Sequence, residues 1–444
     1  MVVTFSNAGN LFAFGNPSVE SPVSRYLTET SDGLAASNGG GIEDETATEA
    51  EKKIGEAVGS GRWDLAVGDL GYWRNLMNSR RRWRRLNVWW RRMRRRLRRR
   101  GGIVRGWIFR FWIDRVVAIR GSGYLGSWLI KKLLLKGYTV HATLRNLGEE
   151  SKTSLLKSLP NAGTRLELFQ ADIYNPQEFE PAIEGCQYVL HVATPLLHTQ
   201  NSKYKDTTEA AIAGVRSIAE SCLGSKTVKR LVYTSSVTAA SSLREDGFGY
   251  KPQMDELCWT PLNLSYTYNN DYILEYTKSK TLSEKEILEY NINGKLEVVS
   301  LVCGLVGGET LLSYVPSSVK SVLSQLKGGD QFPLTALNYL QELFGSVPLV
   351  HIEDVCDAHI FCIEKTAIRG RFLCAAESCT IEEMANLYQE IHPEFQIAEG
   401  SKSGPDGRCK CDLSKLRKEG YEFKYGLKEI LNDSVECGKR LGFL

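Results

Sequence analysis

Hydrophobic positions fall into two regimes along this chain. From residue 116 onward, short apolar runs alternate with longer stretches in which apolar residues recur every three or four positions, the pattern of parallel strands joined by crossover helices. The runs at 116–119, 138–143, 165–169, 188–192, 230–234 and 296–302 are candidate strands. Between them, Leu125, Trp128, Leu129 and Leu133 share one helical face, and 207–222 and 273–290 read as two further helices. The expected fold class is therefore α/β, with no internal repeat. Before residue 116 neither period is sustained, and 31–62 are rich in Gly, Ala, Ser, Thr and Glu. Such a segment has little apolar surface to bury against its own ordering entropy. Residues 1–115 are read as a disordered extension and 116–444 as the folded part.

Composition sharpens this division. With 444 residues and 42% hydrophobic content the chain can bury a sizeable core. The formal charge of +4 hides thirteen arginines between Arg80 and Arg100, with no acid among them. That stretch, RRRWRRLNVWWRRMRRRLRRR, interleaves guanidinium groups with aromatics, as a binder of phosphate backbone and stacked bases would. It also reads as a nuclear-import signal or as unrelated sequence joined to the folded part. The last reading is preferred, because nothing downstream extends the basic patch. A nucleic acid is not expected as a partner except through this run. The most apolar stretch, 103–119, is broken by Arg105, Arg110, Asp114 and Arg115, so no membrane span is expected. All eleven cysteines lie at or after Cys186, with no CxxC pair and no signal peptide at the start. This points to free thiols in a reducing, cytoplasmic setting. Cys409 and Cys411 are the one close pair, too few ligands for a metal site, and no metal is expected.

Three glycines, Gly121, Gly123 and Gly126, follow the first apolar run and open the first helix. In that setting, backbone amides and the helix dipole can hold a pyrophosphate. Tyr124 and Leu125 lie within the same turn. Arg145 ends the second strand in HATLRN, where the adenosine ribose would lie. An acid there would bond a free ribose hydroxyl, whereas arginine pairs with a phosphate, so NADPH is the expected cofactor, with Lys152 as a second cation. Both charges also read as solvated surface groups. Asp172 and Ile173 follow the third strand, and Ala193 and Thr194 the fourth. They fit the adenine and nicotinamide sides respectively, or serve as turn and cap residues.

Tyr276 and Lys280, in YTKSK, stand four apart on a predicted helix and share a face. Reducing a carbonyl needs a proton for the nascent alkoxide. Tyrosine, with a pKa of about 10, donates or loses one near neutrality only with help from a neighbouring cation. The same spacing also arises by chance in many helices. Ser236 closes the fifth strand in VYTSS, where its hydroxyl could polarise a substrate carbonyl or cap a turn.

Taken together, GSGYLGSW, HATLRN, ADIYNP, HVATP, VYTSS, DELCW, YTKSK and VPLVHIEDVCDAHIF resemble the plant dihydroflavonol 4-reductase and anthocyanidin reductase family of extended short-chain dehydrogenases. LVCGLVGGETLLSYVP is most similar to its anthocyanidin reductases, and the likeness spans about 116–444. It implies a Rossmann-type doubly wound sheet, mainly 116–302, with a smaller carboxyl-terminal substrate-binding domain, mostly 303–444. It further implies NADPH as hydride donor, a flat flavonoid-like substrate, Ser236, Tyr276 and Lys280 as catalytic residues, and Arg145 and Lys152 on the 2′-phosphate. An apolar pocket would be lined by 194–197, the neighbourhood of Ser241, and 305–319. The chain departs from the family in three places. Arg120 stands where the family's fingerprint has its first glycine, which favours a homologue with impaired cofactor binding. Ser241 replaces the Asn or Asp that dihydroflavonol reductases set against the substrate's B ring. The likeness also starts abruptly at Val116. His351 and Asp354, also in a family motif, are read as packing and helix-capping residues.

Overall fold

The computed structural model describes residues 115–195, 198, 202–292, 294, 296–326, 331–398 and 410–444. The expected disorder of the amino-terminal extension and the arginine run fall outside these residues. So do residues 196 and 197 of the expected pocket.

Seven parallel strands form the main sheet: β1 (Arg115–Ile119), β2 (Thr139–Leu144), β3 (Leu166–Gln170), β4 (Tyr188–His191), β5 (Arg230–Ser236), β6 (Glu297–Cys303) and β9 (Gly370–Cys374). Their spatial order is β9-β6-β5-β4-β1-β2-β3. The chain runs outward from β1 through β2 to β3, then returns to β1's other edge with β4. The order therefore reverses between β1 and β4, and at such a switch point open α/β sheets form their ligand crevice.

Why this sequence makes a sheet covered on both sides is visible in adjacent residues. Val189, Leu231 and Val298 pack into one core, while their neighbours Leu190, Val232 and Val299 pack into another. The two-residue period sends successive side chains to opposite faces, and both faces must then be apolar. The first core is completed by α3 (Thr207–Gly224) and α4 (Asp271–Glu289), and the second by α1 (Tyr124–Lys136) and α7 (Ile352–Glu364). Helix starts follow local chemistry. The Asp206 side chain accepts from Glu209 N and that of Asn270 accepts from Ile273 N, so each satisfies an otherwise orphaned amide. α1 stops at Gly137, whose left-handed backbone (φ 92°) sends its N–H back to Leu133 O and Leu134 O.

The chain beyond β6 builds a second core on a three-stranded sheet of β7 (Leu305–Gly307), β8 (Val347–His351) and β10 (Glu377–Cys379), ordered β10-β8-β7. Leu349 and Val347 pack there with residues of α5 (Ser317–Val322), α6 (Gln331–Phe344), α8 (Ile381–Ile391) and α9 (Leu427–Arg440). β9 then returns to the main sheet beside β6, in register from Gly370 opposite Val299 to Cys374 opposite Cys303. The main sheet thus takes its seventh strand from beyond residue 302. His351 caps α7 by accepting from Glu353 N, and buried Asp354 accepts backbone N–H groups of Lys424 and Tyr425. Both have the packing and capping roles read from the sequence. Among the described residues, no helix is long and apolar enough to cross a membrane, and no group of three or more His, Cys, Asp and Glu is placed to hold a metal ion.

Candidate active site

The turn after β1 hangs on β2: Arg120 N donates to Thr143 Oγ1 (3.0 Å) and Gly121 N to Thr143 O (2.9 Å). Its three glycines are not equivalent. A methyl group on Gly126 would stand 2.3 Å from Arg120 O, and one on Gly121 2.7 Å from Ile130 Cδ1. A methyl group on Gly123 would approach nothing closer than Arg120 O at 3.9 Å. Packing therefore demands glycine at 126, where the neighbour is backbone, and at 121 requires Ile130 to shift, while Gly123 leaves room for something outside the protein to come close. Gly126→Ala is expected to lower stability by about 1–3 kcal/mol, because the overpacking outweighs alanine's ~1 kcal/mol gain in helix propensity. A fall in the denaturant midpoint would show it. Gly123 also begins α1 without a side-chain cap, so the helix's first amides face the crevice. Tyr124 turns its side chain away: the buried hydroxyl donates to Gly307 O (3.1 Å), and burial pushes the phenol well up. Leu125 packs against the α1 core.

Arg120 occupies the turn's most constrained position, with φ 60°. This left-handed conformation costs a non-glycine residue roughly 1–2 kcal/mol. Its Nη1 donates to Thr194 O at 2.9 Å, so the side chain crosses from the end of β1 to the end of β4, over the switch point itself. Among the described residues, no carboxylate lies within ion-pairing distance of it. Burial pulls the guanidinium's pKa down and Arg145 adds to that, while Tyr272, Tyr314 and Tyr276 oppose it. The group therefore sits between the expected ribose-phosphate end of the crevice and the tyrosine end.

Ser236, Tyr276 and Lys280 do come together. The Tyr276 phenol lies near enough to the Ser236 hydroxyl for that neighbour to favour its ionised form. Ser236 Oγ also accepts from Thr238 N (3.2 Å) and Thr238 Oγ1 (3.1 Å), so it caps a turn as well. Burial pushes the Tyr276 phenol up to about 12, against the lowering effects of Ser236 and Arg120. Lys280 is 4% exposed, and its Nζ donates to Thr234 O (2.6 Å) on the last turn of strand before the two serines. Burial brings its amine down to about 8. This arrangement can hold a carbonyl oxygen between two hydroxyls and move a proton to it.

The remaining expected residues are placed as follows. Arg145 is exposed at the end of β2. Lys152, in α2 (Glu150–Lys157), has a partner that sequence reasoning did not give it, Glu149, at 2.6 Å. Asp172 Oδ1 accepts from Tyr174 N (3.1 Å) as a turn residue, and buried Ile173 packs where a methyl on Gly214 would stand 2.5 Å from its Cδ1. Ala193 is buried and its N–H donates to His191 Nδ1 (3.3 Å), while Thr194 receives Arg120. Ser241 is fully buried and donates to Leu343 O (2.6 Å), so its hydroxyl is committed to the protein backbone and does not face the crevice. Sequence reasoning missed two features. One is an aromatic pair near the tyrosine end, Tyr272 in edge contact with Phe332 (5.5 Å), whereas Tyr314, 57% exposed, falls within the expected 305–319 lining. The other is the buried pair Glu284–Arg371 (2.9 Å). Glu284 continues the four-residue spacing from Tyr276 and Lys280 and was legible, whereas nothing local announced Arg371.

A nicotinamide dinucleotide fits the uncapped start of α1, the open space at Gly123 and the buried amine of Lys280. The Arg120 side chain, held by a hydrogen bond to Thr194 O, reaches over the switch point where such a cofactor would lie. A doubly wound parallel sheet with a glycine turn at its switch point is the framework of an NAD(P)-dependent oxidoreductase of the extended short-chain class. The chain belongs to the NAD dependent epimerase/dehydratase family, whose sequence pattern matches residues 119–373. Its relatives include anthocyanidin reductase ((2S)-flavan-3-ol-forming) of Vitis vinifera, 35% identical over 327 residues, which cover 73% of this chain and 95% of the relative. Protein BRI1-5 ENHANCED 1 of Arabidopsis thaliana is 38% identical over 330 residues, covering 73% and 88%. The crystal structure of vestitone reductase from alfalfa (Medicago sativa) superposes with a TM-score of 0.61 at 32% identity, covering 74% of this chain and 99% of that one.

Proposed function

We propose that the chain is an NADPH-dependent reductase of a flat, flavonoid-like substrate, acting in the cytoplasm. The part up to about residue 302 would hold mainly the cofactor and the rest mostly the substrate. The observation that carries this reading is the convergence of Ser236, Tyr276 and buried Lys280 at the carboxyl end of β5, beside the glycine turn. A bound nicotinamide would supply a hydride to the substrate's electrophilic carbon. Ser236 holds the substrate oxygen, Tyr276 gives it a proton from its hydroxyl, and Lys280 holds the cofactor ribose and favours the phenolate that remains. Arg145, exposed and at the right strand end, would meet the 2′-phosphate. Lys152 would have to share itself with Glu149. Support for a planar aromatic substrate comes from relatives that are reductases of anthocyanidins and vestitone, together with the rings of Tyr272, Tyr314 and Phe332. Nine of the described cysteines are buried thiols outside any disulfide, as suits a reducing compartment.

The test is consumption of NADPH, followed by its absorbance, with an anthocyanidin, a dihydroflavonol or vestitone. Turnover of at least one is expected, the dihydroflavonol being the poorest. If neither the wild type nor Arg120→Gly consumes NADPH with any of them, the reading fails.

One observation favours a second reading. Arg120 lies across the crevice, so the chain could be a homologue that retains nucleotide or polyphenol binding with impaired catalysis. Calorimetric titration separates the two, since NADPH binding without turnover supports impairment and binding with turnover excludes it.

A further inference from the structure

The face of α4 that bears Tyr276 and Lys280 carries a third polar side chain one turn on. Glu284 is fully buried, and its carboxylate accepts from Ser235 Oγ (2.8 Å), Ser300 Oγ (2.5 Å), Arg371 Nε (2.9 Å) and Arg371 Nη2 (3.0 Å). Arg371, 5% exposed on β9, carries the connection outward. It donates to Glu256 O (3.0 Å), to Cys258 O and to Ala239 O (3.1 Å), and its guanidinium lies 3.7 Å from the centre of the Trp259 ring. One buried ion pair therefore joins α4, the last residues of β5, the turn that follows Ser236, β6 and β9.

Stability alone gives no reason for such a pair. The cost of desolvating two charges offsets their attraction, and well-packed apolar residues of similar volume hold a core as well or better. What apolar residues would not do is fix hydroxyl and carbonyl groups at set distances, or place a negative charge one turn from a buried amine. Ser235, held by Glu284, is the immediate neighbour of Ser236. Ala239, held by Arg371, closes the turn that Ser236 caps.

We propose that Glu284, locked by Arg371, is a positioning residue for the Ser236–Tyr276–Lys280 group: it fixes the end of β5 against α4 and supplies the counter-charge for the buried amine of Lys280. This rests on the assignment of those three residues made above. The groups facing that amine can be named element by element. They are Glu284 from α4, the Tyr233 ring (5.1 Å) and Thr234 O from β5, Cys303 from β6, His191 from β4 and Arg120 from the end of β1. The contact from α3 is the uncharged pair Thr208–Ser279. Glu284 is the carboxylate in this set. Burial lowers the amine to about 8; Cys303 and Glu284 oppose that fall, and Arg120 adds to it. Removing Glu284's charge must therefore lower the amine further.

The experiment needs neither cofactor nor substrate. The full chain is labelled with carbon-13 at the lysine ε-carbons, and the resonance of Lys280 is identified by its loss in Lys280→Met. Its titration is then followed by NMR in the wild type, in Glu284→Gln and in the paired variant Glu284→Gln/Arg371→Met. The paired variant leaves no uncompensated buried charge and keeps the test open if the single variant does not fold. The expected result is a wild-type midpoint near pH 8, falling by about one pH unit in Glu284→Gln and by less in the paired variant, which also loses the positive charge of Arg371. An unchanged midpoint in a variant with native circular dichroism overturns the proposal. A wild-type midpoint at the ordinary lysine value of about 10.4 would instead overturn the assignment of Lys280 as the buried amine of the site.

Discussion

Tyr276→Phe is expected to cut turnover by about 10²–10⁴-fold, the range that a positioned general acid contributes. The affinity for NADPH should change little. The phenyl ring keeps its place in α4, and what disappears is the hydroxyl beside Ser236. A loss of kcat with little change in the dissociation constant for NADPH identifies an interaction made in the transition state and not in the ground state. The buried phenol, raised to about 12, holds its proton across neutral pH, as a donor must. Wild-type rates in the phenylalanine variant would remove Tyr276 from the chemistry, whatever became of the fold.

Arg120→Gly is expected to tighten NADPH binding at least about tenfold. For the cofactor to lie across the switch point, the Arg120 side chain must leave Thr194 O. A hydrogen bond from a charged group contributes about 1.5–3 kcal/mol, and each ~1.4 kcal/mol is tenfold in affinity. Glycine also relaxes the backbone at φ 60°, so the variant should not lose stability despite the missing bond. Arg120→Met separates bulk from charge. If obstruction is the whole effect, methionine binds about as weakly as arginine. If the glycine variant binds NADPH more weakly than the wild type, Arg120 assists the cofactor and the impaired-homologue reading falls. Calorimetry gives the constants, and thermal denaturation gives the stability.

Much of the sheet was legible before any coordinates. All six strands and both longer helices read from the pattern lie within two residues of their observed bounds. The reason is that a strand covered on both faces is a continuous apolar run, which needs no partner to be recognised. β9 was not legible. GRFLC is short, and its partner strand ends 67 positions before Gly370, so its place beside β6 is decided by tertiary packing. The site divides in the same way. Tyr276 and Lys280 are related by helical spacing, and Ser236 by its place at a strand end, all local relations. That Ser235 turns to Glu284 while Ser236 meets Tyr276 depends on contacts the sequence does not order. Lys152 shows a local signal overlooked: Glu149 stands three residues before it, the spacing at which opposite charges on a helical turn meet. Arg120 was read as an intruder in the glycine fingerprint. The reach of its side chain to Thr194, 74 positions away, was not there to be read.

The unequal surroundings of the turn glycines have a practical consequence for anyone ranking variants by yield of folded material. Such a screen would reject changes at Gly126, where the wall of the turn has no spare room, and would pass small changes at Gly123, which borders open space. Robust expression of a Gly123 variant would therefore say nothing about whether its doorway still admits a nucleotide.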